Sequence, residues 1–201
     1  MSDTLSIAET ALLGLLAEQD MHPYQIEQEV KYRDMRYWTD LSMSAIYKLL
    51  RGLEKKGLVL RSDEVTPENR LRKIYRLSPE GLEALTTQLN SLLSEPEHTK
   101  WQVDVAIYNC HLLPKSEALK ALLKYKASLE EKINSYHELL KFLKSINCPS
   151  HRYSLAIRPI YLLEAELKWL AAFIKDELEG GGLSFPASQI RVKGQDKDEK
   201  N

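Results

Sequence analysis

The sequence predicts a mainly α-helical protein with one small β-hairpin, organised as two domains. Three observations carry that expectation. Leu, Ala, Glu and Lys are abundant, whereas Gly and Pro number only 8 each in 201 residues, a composition that favours helix. Apolar residues recur at helical spacing through most of the chain, except between Leu58 and Leu77, where two strand-like runs flank a turn. The helical pattern breaks at Ser94-Glu95-Pro96, which places a boundary near residues 94–99. The domains are therefore read as 1–95 and 96–182, followed by a polar tail over 183–201 that is expected to be disordered.

The first domain opens on a helix from Ser6 to Glu18. Ser6 followed by Glu9 matches a capping box, and Ala8, Ala11, Leu12, Leu15 and Leu16 form its apolar stripe. His22-Pro23 starts a second helix, with Pro23 suited to the first helical position. Tyr24, Ile26 and Val30 are expected to point inward by spacing, Tyr24 as a core tyrosine with a satisfied hydroxyl, with a phosphate contact as the alternative. The segment Lys31–Asp40 is aromatic and charged, and its helical end is not set by the pattern.

The third helix is the most informative. Ile46, Leu49, Leu50 and Leu53 lie at i, i+3, i+4 and i+7; Ser42 stands ahead as an N-cap, and Gly57 stands where a C′ glycine ends a helix. The opposite face carries Ser44, Tyr47, Lys48, Arg51 and Lys55. Strand-like runs Leu58–Arg61 and Leu71–Leu77 follow, joined through Thr66-Pro67-Glu68-Asn69, with Arg70, Arg72 and Lys73 near the tip. A basic helix followed directly by a hairpin is the order of a winged helix, in which the helix enters the major groove of DNA and the hairpin reaches the adjoining backbone or minor groove. From Met43 to Arg76 there are nine cations and four anions, a local balance of +5 in a chain of formal net charge −1. Phosphate contact requires local cations of this kind. The competing reading is that the charges merely solvate a helix face and a hairpin.

On this reading Arg51 or Lys48 reads guanine edges, while Ser42, Ser44 and Tyr47 hold phosphates. Lys55 is as readily a solvated residue as a contact, and Asn69, Arg70, Arg72 and Lys73 are the wing contacts to backbone or minor groove. Tyr75 and Leu77 share a strand face, and Tyr75 is expected to pack on the domain. Ser78-Pro79-Glu80 starts a fourth helix, with Leu82, Leu85, Leu89 and Leu92 as its stripe.

Three stretches in this domain, HPYQIEQEV at His22–Val30, SAIYKLLRGLEKKGLV at Ser44–Val59 and RKIYRLSPEGLEAL at Arg72–Leu85, occur in the order of a known pattern. Together they resemble the DNA-binding domain of PadR-like transcriptional regulators over roughly the first ninety residues. The resemblance implies a winged helix-turn-helix DNA-binding domain, a C-terminal α-helical dimerisation domain, and a cytoplasmic regulator, usually a repressor. It also implies that some members answer to phenolic or other aromatic compounds near the dimer interface.

The second half reads as helix: a short one over Thr99–His111, a long one over Ser116–Ile146, and a last one from about Tyr153 to Glu179. Leu119, Leu122, Lys126, Leu129, Ile133, Tyr136, Leu140 and Leu143 alternate spacings of three and four, like a coiled-coil seam. Pro159 is expected to start or kink the last helix, whose stripe is Ile160, Leu163, Leu167, Leu170, Ile174 and Leu178. Two long amphipathic helices leave apolar faces that a homodimer would bury. The alternative is an intramolecular bundle. Trp101, Tyr108, Tyr136, Trp169 and Phe173 are the candidate effector-pocket residues, although aromatic residues at helical spacing commonly form core.

Other classes find little support. There is no Gly-rich phosphate loop, no His pair at zinc spacing and no nucleophile motif around Cys110 or Cys148, so neither an enzyme nor a cofactor or metal site is expected. No apolar run approaches the length of a membrane span, and the start lacks a secretory signal pattern. The partners expected are double-stranded DNA carrying an inverted repeat, a second copy of the chain and a small aromatic effector. A winged helix used as a protein-interaction module, without operator binding, is the alternative.

Overall fold

The computed structural model describes residues 4–65, 69 and 71–175. The chain divides into two compact units, the first ending at His98 and the second beginning at Thr99.

In the first unit, α1 (Ile7–Glu18), α2 (Pro23–Tyr32) and α3 (Met43–Lys55) are followed by β1 (Val59–Val65), β2 (Leu71–Leu77) and α4 (Pro79–Ser94). A 3₁₀ turn, Met35–Tyr37, lies between α2 and α3. Helix starts follow the predicted caps. The Ser6 Oγ accepts the Glu9 N–H and the Glu9 carboxylate accepts the Ser6 N–H, the reciprocal capping box. The Ser42 and Ser78 hydroxyls accept from Ala45 and Gly81 N–H at 3.2 and 2.9 Å. α3 ends at Gly57, with φ +73°; Gly57 N–H donates to Glu54 and Leu58 N–H to Leu53, the doubled bonding of a Schellman turn.

The core gathers one face from each helix. Leu12, Ile26, Val30, Leu41, Ile46, Leu50 and Leu53 are fully buried, closed over by Val59, Tyr75 and Leu85 from the hairpin and α4. β1 and β2 pair antiparallel, with Val59 opposite Leu77 and Val65 opposite Leu71. Met21 adds an isolated bridge to Tyr75, with N–H···O bonds of 3.0 and 2.9 Å, so the α1–α2 connection is tied to the inner end of the hairpin. Tyr75 packs inside, as its strand alternation requires.

The exit from the hairpin explains its own sequence. The Ser78 hydroxyl caps α4 and also donates to the Gly57 carbonyl at 2.7 Å. Three residues on, a side chain at Gly81 would place its Cβ 2.0 Å from the Leu58 carbonyl oxygen. Only glycine lets α4 start against the end of α3.

Two expectations for this unit need correction. Tyr24 is not a core residue: it is 58% exposed, because the buried face of α2 is formed by Pro23, Ile26, Glu27 and Val30, which leaves Tyr24 off it. The α4 stripe is buried only at Leu85, while Leu82, Leu89 and Leu92 are exposed within this unit.

The second unit contains α5 (Gln102–Tyr108), a 3₁₀ turn (Cys110–Leu112), α6 (Lys115–Ser145) and α7 (Ser150–Phe173). The short helix is thus split, and the turn after it ends in Leu113 before Pro114. α6 and α7 form a helical hairpin. Asn147 closes α6 at φ +52°, and Cys148 N–H donates back to Leu143, so an asparagine does here what Gly57 does after α3. Pro159 neither starts nor ends α7 but sits within it, and helical structure continues through it. Ala118, Leu122, Leu129, Leu170 and Ile174 form the buried cluster of this unit. Leu178 and the Gly180–Gly182 stop lie outside the described residues.

Candidate nucleic-acid interface

α3 presents two chemically different sides. Ile46, Leu50 and Leu53 are buried, and Ser42, Ser44, Tyr47, Lys48, Arg51 and Lys55 are all exposed. Tyr47 keeps 44% of its surface in solvent. The Ser42 and Ser44 hydroxyls lie 3.0 Å apart at the start of the helix, where free N–H groups and the helix dipole favour an anion.

The ion pairs separate scaffold charges from the others. Arg33 forks onto Glu18 at 2.6 and 2.8 Å and reaches Glu29 at 2.7 Å. Arg36 binds Glu27, Lys56 binds Glu9 at 3.0 Å, and Arg61 lies 3.6 and 3.5 Å from Glu54 and Asp63. Among the described residues, Lys48, Arg51 and Lys55 make no ion pair. Their charge is directed outward from one helix face.

The hairpin continues that surface. Arg72 and Lys73 are exposed on β2, opposite Glu64 and Asp63 in the register, and neither closes an ion pair across the strands. Asn69 is exposed with φ +56° in the connection between the strands. Arg70 and the Thr66-Pro67-Glu68 stretch lie outside the described residues.

Beside β2 stands a group that helical spacing does not mark. His22 caps α2: its Nδ1 accepts the Gln25 N–H at 3.1 Å, while its own N–H donates to Gln25 Oε1 at 3.0 Å. This is the capping-box geometry with histidine in place of serine. The imidazole stacks on Tyr24, ring centroids 6.3 Å apart. Burial, and then the Arg72 charge, hold its pKa below the ordinary 6.5, so the neutral, accepting form is favoured. The signal available in the sequence was Gln25 three residues after His22.

The five aromatic candidates of the second unit are dispersed. Trp169 and Phe173 stack, with centroids 5.5 Å apart, and Phe173 packs against the buried cluster. Tyr136 is half-buried on α6, whereas Trp101 and Tyr108 are 53% and 82% exposed. A cleft of about 530 Å³ in this unit is lined instead by residues that include His137, Lys141, Lys144 and Tyr153. Among the described residues, no cluster of three or more His, Cys, Asp or Glu side chains is placed to hold a metal ion. No described helix is long and apolar enough to cross a membrane.

Three helices, the third basic on its outer face, followed by an antiparallel hairpin, define a winged helix-turn-helix. Residues 12–87 match the model of the transcriptional regulator PadR-like family, so the first unit contains a PadR-like family domain over those residues. Solved structures share the fold over most of the chain. Bacillus subtilis PadR in complex with operator DNA aligns with a TM-score of 0.68 at 20% identity, over 85% of this chain and 99% of that one. The same protein in complex with p-coumaric acid gives 0.66 at 19%, over 85% and 98%. The Vibrio cholerae virulence activator AphA gives 0.58 at 15%, over 84% and 96%. No curated protein sequence matches the chain.

Proposed function

We propose that this chain is a dimeric, sequence-specific DNA-binding repressor that lays α3 in the major groove and the β1–β2 hairpin on the adjoining backbone. The observation that carries the reading is the set of exposed cations on one face of α3, Lys48, Arg51 and Lys55. Among the described residues these have no carboxylate partner, whereas Arg33, Arg36, Lys56 and Arg61 are paired. Phosphates supply the missing anions. Arg51 and Lys48 face base edges, Ser42, Ser44 and Tyr47 hold phosphates, Lys55 extends the basic face, and Asn69, Arg70, Arg72 and Lys73 engage from the wing.

Dimerisation follows from apolar surface. Phe142 on α6, Ile146 at its C-cap, and Leu155, Tyr161 and Leu162 on α7 are each 45% exposed or more within this unit. A twofold partner buries such faces and spaces two copies of α3 for an inverted repeat. A small aromatic effector, of the chemical kind seen bound to the similar PadR structure, acts on the second domain, with Trp101, Tyr108, Tyr136, Trp169 and Phe173 as the candidate contacts. The domain limits proposed are 1–95 and 96–182.

The test is selection of duplexes from a random pool by the full chain, followed by binding with unrelated DNA and with heparin as competitors. Recovery of one inverted repeat, bound by two chains and resistant to heparin, supports the reading. Equal affinity for every duplex and for heparin refutes it and favours a protein-interaction module.

A further inference from the structure

The connection between α2 and α3 passes through one guanidinium. Arg36 Nη2 donates to both carboxylate oxygens of Glu27, each at 2.7 Å, and Arg36 Nε donates to the Leu41 carbonyl at 2.9 Å. Glu27 belongs to α2 and its side chain is only 9% exposed, with Lys31 as a second cation at 3.4 Å. Leu41 is fully buried, and the next residue is Ser42, the N-cap of α3. A single planar fork therefore ties a carboxylate inside α2 to the main chain one residue ahead of the α3 N-cap. The Arg36 side chain keeps 41% of its surface in solvent, and an ion pair with one partner so exposed adds little stability, so stability alone gives weak reason for a charge pair here. Directional definition of the α3 entry is what the fork adds.

We propose that Arg36 and Glu27 are positioning residues for base reading: their clasp sets the entry and register of the first turn of α3. The inference rests on the DNA-binding function proposed above. Lys48 and Arg51, the base readers proposed above, take their positions from where α3 begins, and hydrogen bonds to base edges tolerate only a few tenths of an ångström and a narrow range of angle. Phosphate contacts through long cationic side chains tolerate much more. Loosening the start of α3 therefore removes discrimination and spares general DNA affinity. A purely structural clasp would instead lower thermal stability and leave discrimination by the folded protein unchanged.

The experiment uses the full chain, a labelled duplex selected from a random pool by the wild type, and a scrambled duplex of equal length, below the unfolding transition of every variant. Arg36→Lys keeps a positive charge beside Glu27 but replaces the planar Nε/Nη2 fork with one flexible point donor, so the fixed geometry on the Leu41 carbonyl is lost. It should keep scrambled-duplex affinity within about twofold and lower the selected-to-scrambled ratio roughly tenfold, the worth of one base contact. Arg36→Met should lower the ratio at least as far; if it does not fold, Arg36→Lys decides. A wild-type ratio retained by Arg36→Lys overturns the positioning role and leaves the DNA-binding function standing. A wild-type chain that selects no sequence overturns both.

Discussion

Replacing Gly81 with alanine should detach α4 from the end of α3 at a cost that the geometry sets. The new Cβ would stand 2.0 Å from the Leu58 carbonyl oxygen and 2.9 Å from Leu77 Cδ1, and it must retreat a full ångström to reach even 3.0 Å from the oxygen. The obstructing atom is backbone, so no side-chain rotation relieves the clash. The same carbonyl accepts the Ser78 N–H at 3.2 Å, and the Ser78 hydroxyl holds the Gly57 carbonyl at 2.7 Å, so separation strains two hydrogen bonds. Overpacking and the two weakened bonds together make a loss on the order of 3 kcal/mol. That is a large part of the ~5–15 kcal/mol that stabilises a domain. The control is Gly52→Ala on α3, where nothing lies within 4 Å of the added carbon. It should gain roughly 0.5–1 kcal/mol, because alanine loses less backbone entropy in a helix than glycine. Urea unfolding of the full chain in a W101F/W169F background, with Trp38 as the reporter of the first unit, reads both. A Gly81→Ala midpoint equal to that of Gly52→Ala would refute the close-approach argument.

Arg51→Ala should weaken binding to a selected duplex by about 1–3 kcal/mol while leaving the unfolding midpoint nearly unchanged, since the side chain is exposed and makes no ion pair among the described residues; fluorescence anisotropy and urea titration measure the two. Neutralising Arg72 and Lys73 together should flatten the dependence of log K on log salt by about 0.9 for each phosphate no longer neutralised, and an unchanged slope would take the wing off the DNA. His22 titrates below 6.5 in the folded chain, so as pH falls the unfolded chain binds its proton first. Its stabilising contribution is therefore complete above pH 6.5 and is lost as pH falls through the lowered folded value. His22→Asn, which keeps a capping acceptor without the titration, should remove that part of the pH dependence of Tm. Phe142→Glu with Ile146→Glu should convert a dimer to monomers in sedimentation while helicity is kept, because both residues are exposed in the single chain; a persistent dimer would place the interface elsewhere.

Much of this protein is written locally. Helical spacing of Ile46, Leu50 and Leu53, the caps Ser6, Ser42 and Ser78, and Gly57 after α3 depend on interactions within a few residues, and the structure realises each of them. The exposed basic face of α3 is legible for the same reason: burying the apolar stripe turns the intervening residues outward. Interactions between distant residues were decided only by tertiary structure. The Met21–Tyr75 bridge ties the hairpin to the start of α2, a pairing between positions fifty-four apart that no periodicity records. Arg36 reads in the sequence as one cation in a charged run, and only folding places its fork between Glu27 and Leu41. Gly81 looks like a helix-entry residue until packing puts the Leu58 carbonyl where its Cβ would be. The unpaired state of Lys48, Arg51 and Lys55 likewise needs three dimensions, because a sequence counts charges but does not show which of them a carboxylate can reach.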